Sequence, residues 1–217
     1  MKLFNFYFFL MTMQIERSYN PRGFWEKQWE KKSENLISYY AYGLIRPKGS
    51  ILDIGCGNSH NNIPEIADYF VGVDISETAL RLSNKCRRSD FVLASAADLP
   101  FKNGSFDSVI SIETLTLLGS NAYRAIEEMN RLAKSAVTFT VTHTDILNMG
   151  DTPNTRLEYG TLFHGDELDI ITFTEDDIGL LLTKLRLKPK KVRVLNESEV
   201  RNYGLPSYQH EWCLMRM

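Results

Sequence analysis

The sequence predicts an open α/β sheet, mostly parallel, covered by helices on both faces and closed by a C-terminal antiparallel hairpin. Three observations lead there. Five short apolar runs, at residues 51–54, 69–73, 91–94, 107–112 and 136–141, have the length and side chains of buried strands. Segments with helical spacing separate several of them, which is the pattern of parallel strands joined by crossovers. Two last apolar runs, at 192–195 and 212–217, have no helix between them, so they are expected to pair as a hairpin and bring the strand count to seven.

Element by element, residues 24–45 place Trp25, Trp29, Leu36, Tyr40 and Leu44 at near-helical spacing, with Glu and Lys between, and predict a helix. Pro47, Gly49 and Ser50 break the chain before the first strand. After the second strand Ser76 is placed to cap a helix running through Ala79, Leu80 and Leu82. Asn103-Gly104 marks a tight turn before the fourth strand. Residues 122–134 carry apolar side chains at 122, 126, 129, 132 and 133, an amphipathic helix. Residues 142–172 read as polar and irregular. Thr174 with Asp177 resembles a capping box that opens a helix through Ile178, Leu181, Leu182 and Leu185.

The chain has 217 residues with 25 Lys plus Arg, 27 Asp plus Glu, a net charge of −2, 43% apolar and 24% charged residues. That length suits one domain, and the balance excludes disordered and membrane-spanning classes. Near-neutral charge also argues against a dedicated nucleic-acid binder. Cys56, Cys86 and Cys213 have no CxxC spacing and are expected to be free thiols of a cytoplasmic protein; no Cys/His cluster has metal-ligand spacing. Residues 1–20 are set apart as an N-terminal extension, with residues 21–217 forming the domain. The apolar run 3–10 is too short to span a bilayer. It reads as an overcalled start, with translation beginning at Met11 or Met13, as an added strand or helix, or as a targeting signal.

The site signal lies in Ile51-Leu52-Asp53-Ile54-Gly55-Cys56-Gly57-Asn58-Ser59. A strand delivers an acidic side chain near its end, and two glycines let the backbone turn tightly and approach a ligand. Asp74 ends the next strand, 21 residues after Asp53, where a carboxylate can accept both hydroxyls of a ribose. The bland alternative is that the glycines only turn the chain and Asp74 only caps the next helix. Position 59 is Ser, so the third glycine of a dinucleotide fingerprint is missing, and there is no Walker A loop. Pyrophosphate is therefore disfavoured, and a nucleoside without phosphates remains.

Four blocks in order, ILDIGCGNS (51–59), GVDIS (72–76), LPFKNGSFDSV (99–109) and SIETLTLL (111–118), together with FTEDDIGLLL (173–182), resemble the class I S-adenosylmethionine-dependent methyltransferases, specifically their type 11 branch. The resemblance spans residues 51 to about 195 and implies a Rossmann-like fold, S-adenosyl-L-methionine as cofactor, S-adenosyl-L-homocysteine as product, and no metal. It places Gly55, Cys56 and Gly57 under the methionine portion, Asp53 near its amino group, Asp74 on the ribose, and Ile75 against the adenine. The adenine edge falls to Ser95, Ala96 and Ala97, with Ser111 completing the set. The family's usual carboxylate before Leu-Pro-Phe is here Ser95, a neutral acceptor without charge assistance; Asp98 replaces it only if the loop shifts.

Methyl transfer needs a base only when the nucleophile arrives protonated. Glu113, after the fourth strand, and His143, with Asp145 after the fifth, are the candidates. Each has a plainer role: Glu113 at a helix start or orienting the cofactor, His143 away from substrate. His164 and Tyr159 lie in 142–172, a candidate lid. The family's frequent His after the fourth strand is absent from Thr114-Leu115-Thr116-Leu117, so no base is inherited. Trp25 and Trp29 can cover the cofactor or simply pack. The basic stretch at 184–193 can meet RNA or an acidic partner, or form a solvated face. The expected function is methyl transfer to a small-molecule acceptor, with no membrane span and nucleic acid disfavoured. Protein lysine methylation, suggested by FWEKQWEKKSE followed by GCGNS, and a cofactor-binding protein without catalysis are the alternatives.

Overall fold

The computed structural model describes residues 20–31, 49–59, 67–83, 88–144, 152–165, 168–194 and 209–216. Helix α1 (Pro21–Lys31) precedes β1 (Ser50–Ile54), β2 (Tyr69–Asp74), the short α2 (Glu77–Arg81), β3 (Ser89–Leu93) and β4 (Phe106–Ser111). A 3-10 segment, Leu115–Asn121, leads into α3 (Ala122–Leu132) and β5 (Ala133–Thr142). Then follow β6 (Asn154–Leu157), β7 (Gly160–Phe163), β8 (Ile170–Thr172), α4 (Glu175–Lys184), β9 (Leu187–Val194) and β10 (Gln209–Arg216).

The main sheet runs β3-β2-β1-β4-β5-β10-β9. Its first five strands are mutually parallel, and β10 lies antiparallel to both β5 and β9. Strand order reverses between β1 and β4, so the crevice at their carboxyl ends is the place where such sheets take ligands. Strands β1 and β4 are buried over nearly their whole length, which is why both read as continuous apolar runs rather than alternating ones. One core cluster joins Leu52, Ile54, Val109 and Val137 to Ile126 and Met129 of α3 and Ile178 and Leu181 of α4; Ile51, Phe70 and Ile110 form a second.

Several local readings meet their elements. Ser76 caps α2, its Oγ accepting the Ala79 amide at 3.1 Å. Thr174 and Asp177 form the reciprocal capping box that opens α4. Asp177 is 1% exposed and takes a two-pronged ion pair from Arg156 of β6. The stretch from 142 to 172 departs from the expected irregular loop. It holds a separate antiparallel sheet, β6-β7-β8, built on a tight turn between Leu157 and Gly160. Its residues lack a clean alternation because the sheet is small and one strand, β6, is almost wholly exposed. Of the helix expected at 24–45, residues 21–31 are helical; the rest lies outside the described residues, as do residues 1–19 of the N-terminal extension.

The loop after β3 is held by one ion pair. Glu128 of α3, 3% exposed, accepts the Leu99 amide at 3.0 Å and two bonds from Arg131. Arg131 in turn donates to the carbonyls of Leu99 and Phe101 and to Asn103. Arg131 thereby holds the Glu128 carboxyl below its usual range, the guanidinium bonds outweighing burial. A depressed carboxyl pKa contributes stability above the unfolded value, about 4.3, and loses it as pH falls through the folded one. Arg131→Ala should leave a buried carboxylate unpaired and cost about 3 kcal/mol, read as a lower urea midpoint at pH 7. Its acid-unfolding limb should also begin at higher pH than in the wild type.

Candidate active site

The crevice is assembled from strand ends. Strand β1 delivers Asp53, 1% exposed, and then turns. The amides of Gly55 and Cys56 both donate to the Val73 carbonyl of β2, at 2.8 and 3.0 Å, which pins the turn against the neighbouring strand. Gly57 has φ +54, and a Cβ there would lie 2.7 Å from the Trp29 ring, so both conformation and space require glycine. Gly72 of β2 is needed for a different reason: a Cβ would lie 2.8 Å from the Cys56 sulfur and 2.8 Å from the Phe91 ring. The glycine before Asp74 thus makes room for the side chain of the loop.

Asp74 joins the two loops. Its Oδ2 accepts the Gly57 amide and its Oδ1 the Ser76 amide, both at 2.9 Å. Burial raises its carboxyl pKa, against the lowering effect of these backbone bonds. The Ile75 amide adds to that lowering, and of the carboxylate's four acceptor positions at least one is left over. Burial also pushes the Cys56 thiol up, with the charges of Asp53 and Asp74 adding to it; Cys56 is thus a packed, unreactive thiol. Ile75 is half-buried beside them. Ser59, in place of a third glycine, adopts the left-handed φ of +56 that glycine favours. Apart from a weak contact with the Cys56 thiol, its hydroxyl, in a residue 3% exposed, finds no partner among the described residues.

Beyond β3, Ser95 to Asp98 form a tight turn in which Asp98 N donates to the Ser95 carbonyl at 3.1 Å. The Ser95 hydroxyl is engaged within that turn, accepting the Ala97 amide at 3.3 Å, while Asp98 is exposed. Ala96 and Ala97 are half-buried. Ser111, fully buried, donates to the Ile54 carbonyl at 3.0 Å and so ties β4 to β1 at the crevice floor.

Glu113 follows β4 with φ +58, a conformation a non-glycine residue rarely holds. Its amide donates to Thr140 Oγ1 at 2.8 Å, which fixes the turn to β5. Burial, with no opposing effect, pushes its carboxyl up to about 8. His143 lies just past β5 and pairs as an isolated bridge with Phe173; Asp145 lies outside the described residues. His164 is held away in the small sheet by Thr155 at 2.9 Å and Asp169 at 3.5 Å. Tyr159 is buried there, its carbonyl accepting the Tyr123 hydroxyl and its ring edge-on to Tyr123. The candidate residues therefore fall at the ends of β1, β2, β3, β4 and β5, with His164 and Tyr159 in a second group on the small sheet. Glu26 of α1 also belongs to the first group: its carboxylate bonds the Glu77 and Thr78 amides, and no motif marks it.

A parallel sheet with a glycine loop at the crevice and a buried carboxylate at the end of the next strand is the arrangement of a Rossmann-like α/β fold. Residues 52–141 match the family described as "Methyltransferase domain", type 11. Over those residues the chain is similar to this methyltransferase-domain family, and proteins of the same fold include structures solved with bound S-adenosylmethionine and S-adenosylhomocysteine. Over 105 residues it is 36% identical to an uncharacterised protein of Methanocaldococcus jannaschii, covering 48% of this chain and 41% of that one. It is 35% identical over 91 residues to the tRNA (carboxymethyluridine(34)-5-O)-methyltransferase of Arabidopsis thaliana, covering 41% of this chain and 22% of the relative. The match thus spans less than half of either relative. Magnesium protoporphyrin IX methyltransferase from Synechocystis PCC 6803 shares the fold at 16% identity, with a TM-score of 0.64 over 94% of this chain and 100% of that one.

The features in hand fit this cofactor. Asp74 would offer a charged acceptor to ribose hydroxyls, and the turn at Gly57, with the buried Ser59 hydroxyl nearby, would leave room for its amino-acid end. Asp74→Ala should weaken S-adenosylhomocysteine binding by about 1.5–3 kcal/mol, roughly 10- to 100-fold, in calorimetry. Asp74→Asn keeps one acceptor oxygen, so either the Gly57 or the Ser76 amide loses its partner and the charge-assisted share is lost as well; wild-type affinity in both variants contradicts the ribose role.

Proposed function

We propose that the protein transfers a methyl group from S-adenosylmethionine to a small-molecule acceptor that must lose a proton, with Glu113 as the base. The reading rests on the placing of Glu113: a half-buried carboxyl just past the end of β4, in a left-handed backbone position held by Thr140, where burial pushes its pKa up to about 8. A pKa near the working pH is what general base catalysis asks for. The bound cofactor supplies a methyl group on a sulfonium that is already a good leaving group. The chain's own part is then to hold the acceptor in line and take its proton at a Glu113 carboxylate oxygen. Desolvation of Glu113 favours an acceptor small enough to share a dry crevice. His143, at the neighbouring strand end, is assigned to the acceptor side. The domain is taken to be residues 21–217.

Because the folded pKa of Glu113 is raised, the native state binds more protons than the unfolded chain between about pH 4.3 and 8, so its burial costs stability as pH rises through that window. Glu113→Gln should therefore raise the melting temperature at pH 8 and leave it nearly unchanged at pH 4. The same variant should lose turnover while keeping cofactor affinity; a variant with normal turnover removes Glu113 from the chemistry.

The acceptor class is tested by S-adenosylhomocysteine release with separate pools of small metabolites, total RNA and protein extract. Release with the metabolite pool alone is expected. Release with RNA favours the activity named for the Arabidopsis relative, and release with protein favours lysine methylation.

A further inference from the structure

Helix α1 touches both loops of the cofactor crevice. Glu26 reaches the turn after β2, where Oε1 accepts the Glu77 amide at 2.7 Å and Oε2 accepts the Thr78 amide at 3.1 Å and the Ser76 hydroxyl at 3.0 Å. Three residues on, along the same side of the helix, Trp29 is 9% exposed and lies against Gly57 of the glycine loop. The two loops are themselves joined through Asp74, which accepts the amides of Gly57 and Ser76. The contacts close a ring: Glu26 to Ser76, Ser76 to Asp74, Asp74 to Gly57, Gly57 to Trp29, and back along α1. The mean character of α1 is polar, and Trp29 is its buried residue, so its seat depends on these few contacts rather than on a broad apolar face.

We propose that α1 is a strap whose docking, latched by Glu26 and seated by Trp29, sets the geometry of the two cofactor loops, so that strap docking and cofactor binding strengthen each other. Glu26 is a positioning residue in this scheme: it acts on the cofactor through Ser76, Asp74 and Gly57. Against the opposing effect of burial, bonds from the Thr78 side chain, the Glu77 and Thr78 amides and the Ser76 hydroxyl hold its carboxyl well below the usual range, at about 2, so the latch stays charged at any working pH. Reciprocity follows from linkage: a ligand bound by the ordered loops must favour the docked strap by the same factor by which the strap favours the ligand. If losing Glu26 lowers the docked fraction to about a tenth, the apparent dissociation constant rises about tenfold.

The inference rests on the cofactor reading, and the experiment separates the two. Wild type, Glu26→Ala and Glu26→Gln are titrated with S-adenosylhomocysteine and digested with trypsin, which can cut after the exposed Lys27 of α1. Expected are an affinity about tenfold weaker in Glu26→Ala and an intermediate loss in Glu26→Gln, whose amide keeps an acceptor without the charge. Cleavage after Lys27 should be faster in both variants, and the ligand should slow it most in the wild type. Ligand affinity equal to wild type in both variants overturns the proposal, because the strap is then only structural. Equal cleavage rates in all three proteins overturn it as well, because Glu26 then latches nothing. A wild type that ignores S-adenosylhomocysteine fails the cofactor reading first and takes the strap with it; in every other case the cofactor reading stands whatever the variants do.

Discussion

The site is organised around a single buried carboxylate. Asp74 ends β2 and accepts one amide from the glycine loop after β1 and one from the start of α2. Those bonds fix two segments that arrive from different strands, and they do so with oxygens that keep capacity for a ligand. The cost is visible in the raised carboxyl pKa, since burial, with the nearby Glu26 charge adding to it, penalises the charge more than the Ser76, Gly57 and Ile75 amides relieve it. A ligand with hydroxyls placed for the remaining lone pairs relieves that penalty further, which is the physical reason a carboxylate, rather than an amide or hydroxyl, belongs at this strand end. Everything nearby is adapted to it: Gly57 brings its amide into reach, and Gly72 leaves space for the Cys56 side chain of the same loop.

A second carboxylate has the opposite setting. Glu113 lies one strand away, past β4, with burial raising its pKa to about 8. Asp74 is compensated by backbone amides and Glu113 is not, so burial acts on Glu113 unopposed. The left-handed backbone of Glu113 is held by its own amide on Thr140 and by the packing of Leu115 two residues on. Such strain persists only where surrounding structure over-determines it. The loop after β3 is held differently, by the Glu128–Arg131 pair on α3, so the crevice is fixed from the sheet, from α3 and from α1 at once.

Much of this was legible from the chain alone. The strands appear as apolar runs because both faces of a parallel sheet are buried, and the helix caps at Ser76 and Thr174 appear because capping is a matter of residues three apart. The pairing of a glycine turn with Asp74 is legible for a similar reason: a β–loop–β unit has a nearly constant length, so the spacing of 21 residues carries geometric information. The sheet β6-β7-β8 was not legible, since four-residue strands with exposed faces leave no periodicity long enough to read.

What the sequence determined by itself is therefore whatever depends on near neighbours: the alternation of elements, their caps, the glycine turn and the family its blocks resemble. What only the tertiary structure decided is what depends on residues brought together from far apart. The Ser111 hydroxyl is bonded to Ile54, 57 residues away. Glu26 meets Thr78 across 52 residues. The protonation of Glu113 is set by the burial that strand packing imposes, not by its neighbours in the chain. Hydrogen bonds and desolvation act over a few ångströms in space, and a linear sequence records that proximity only where the chain's own geometry enforces it.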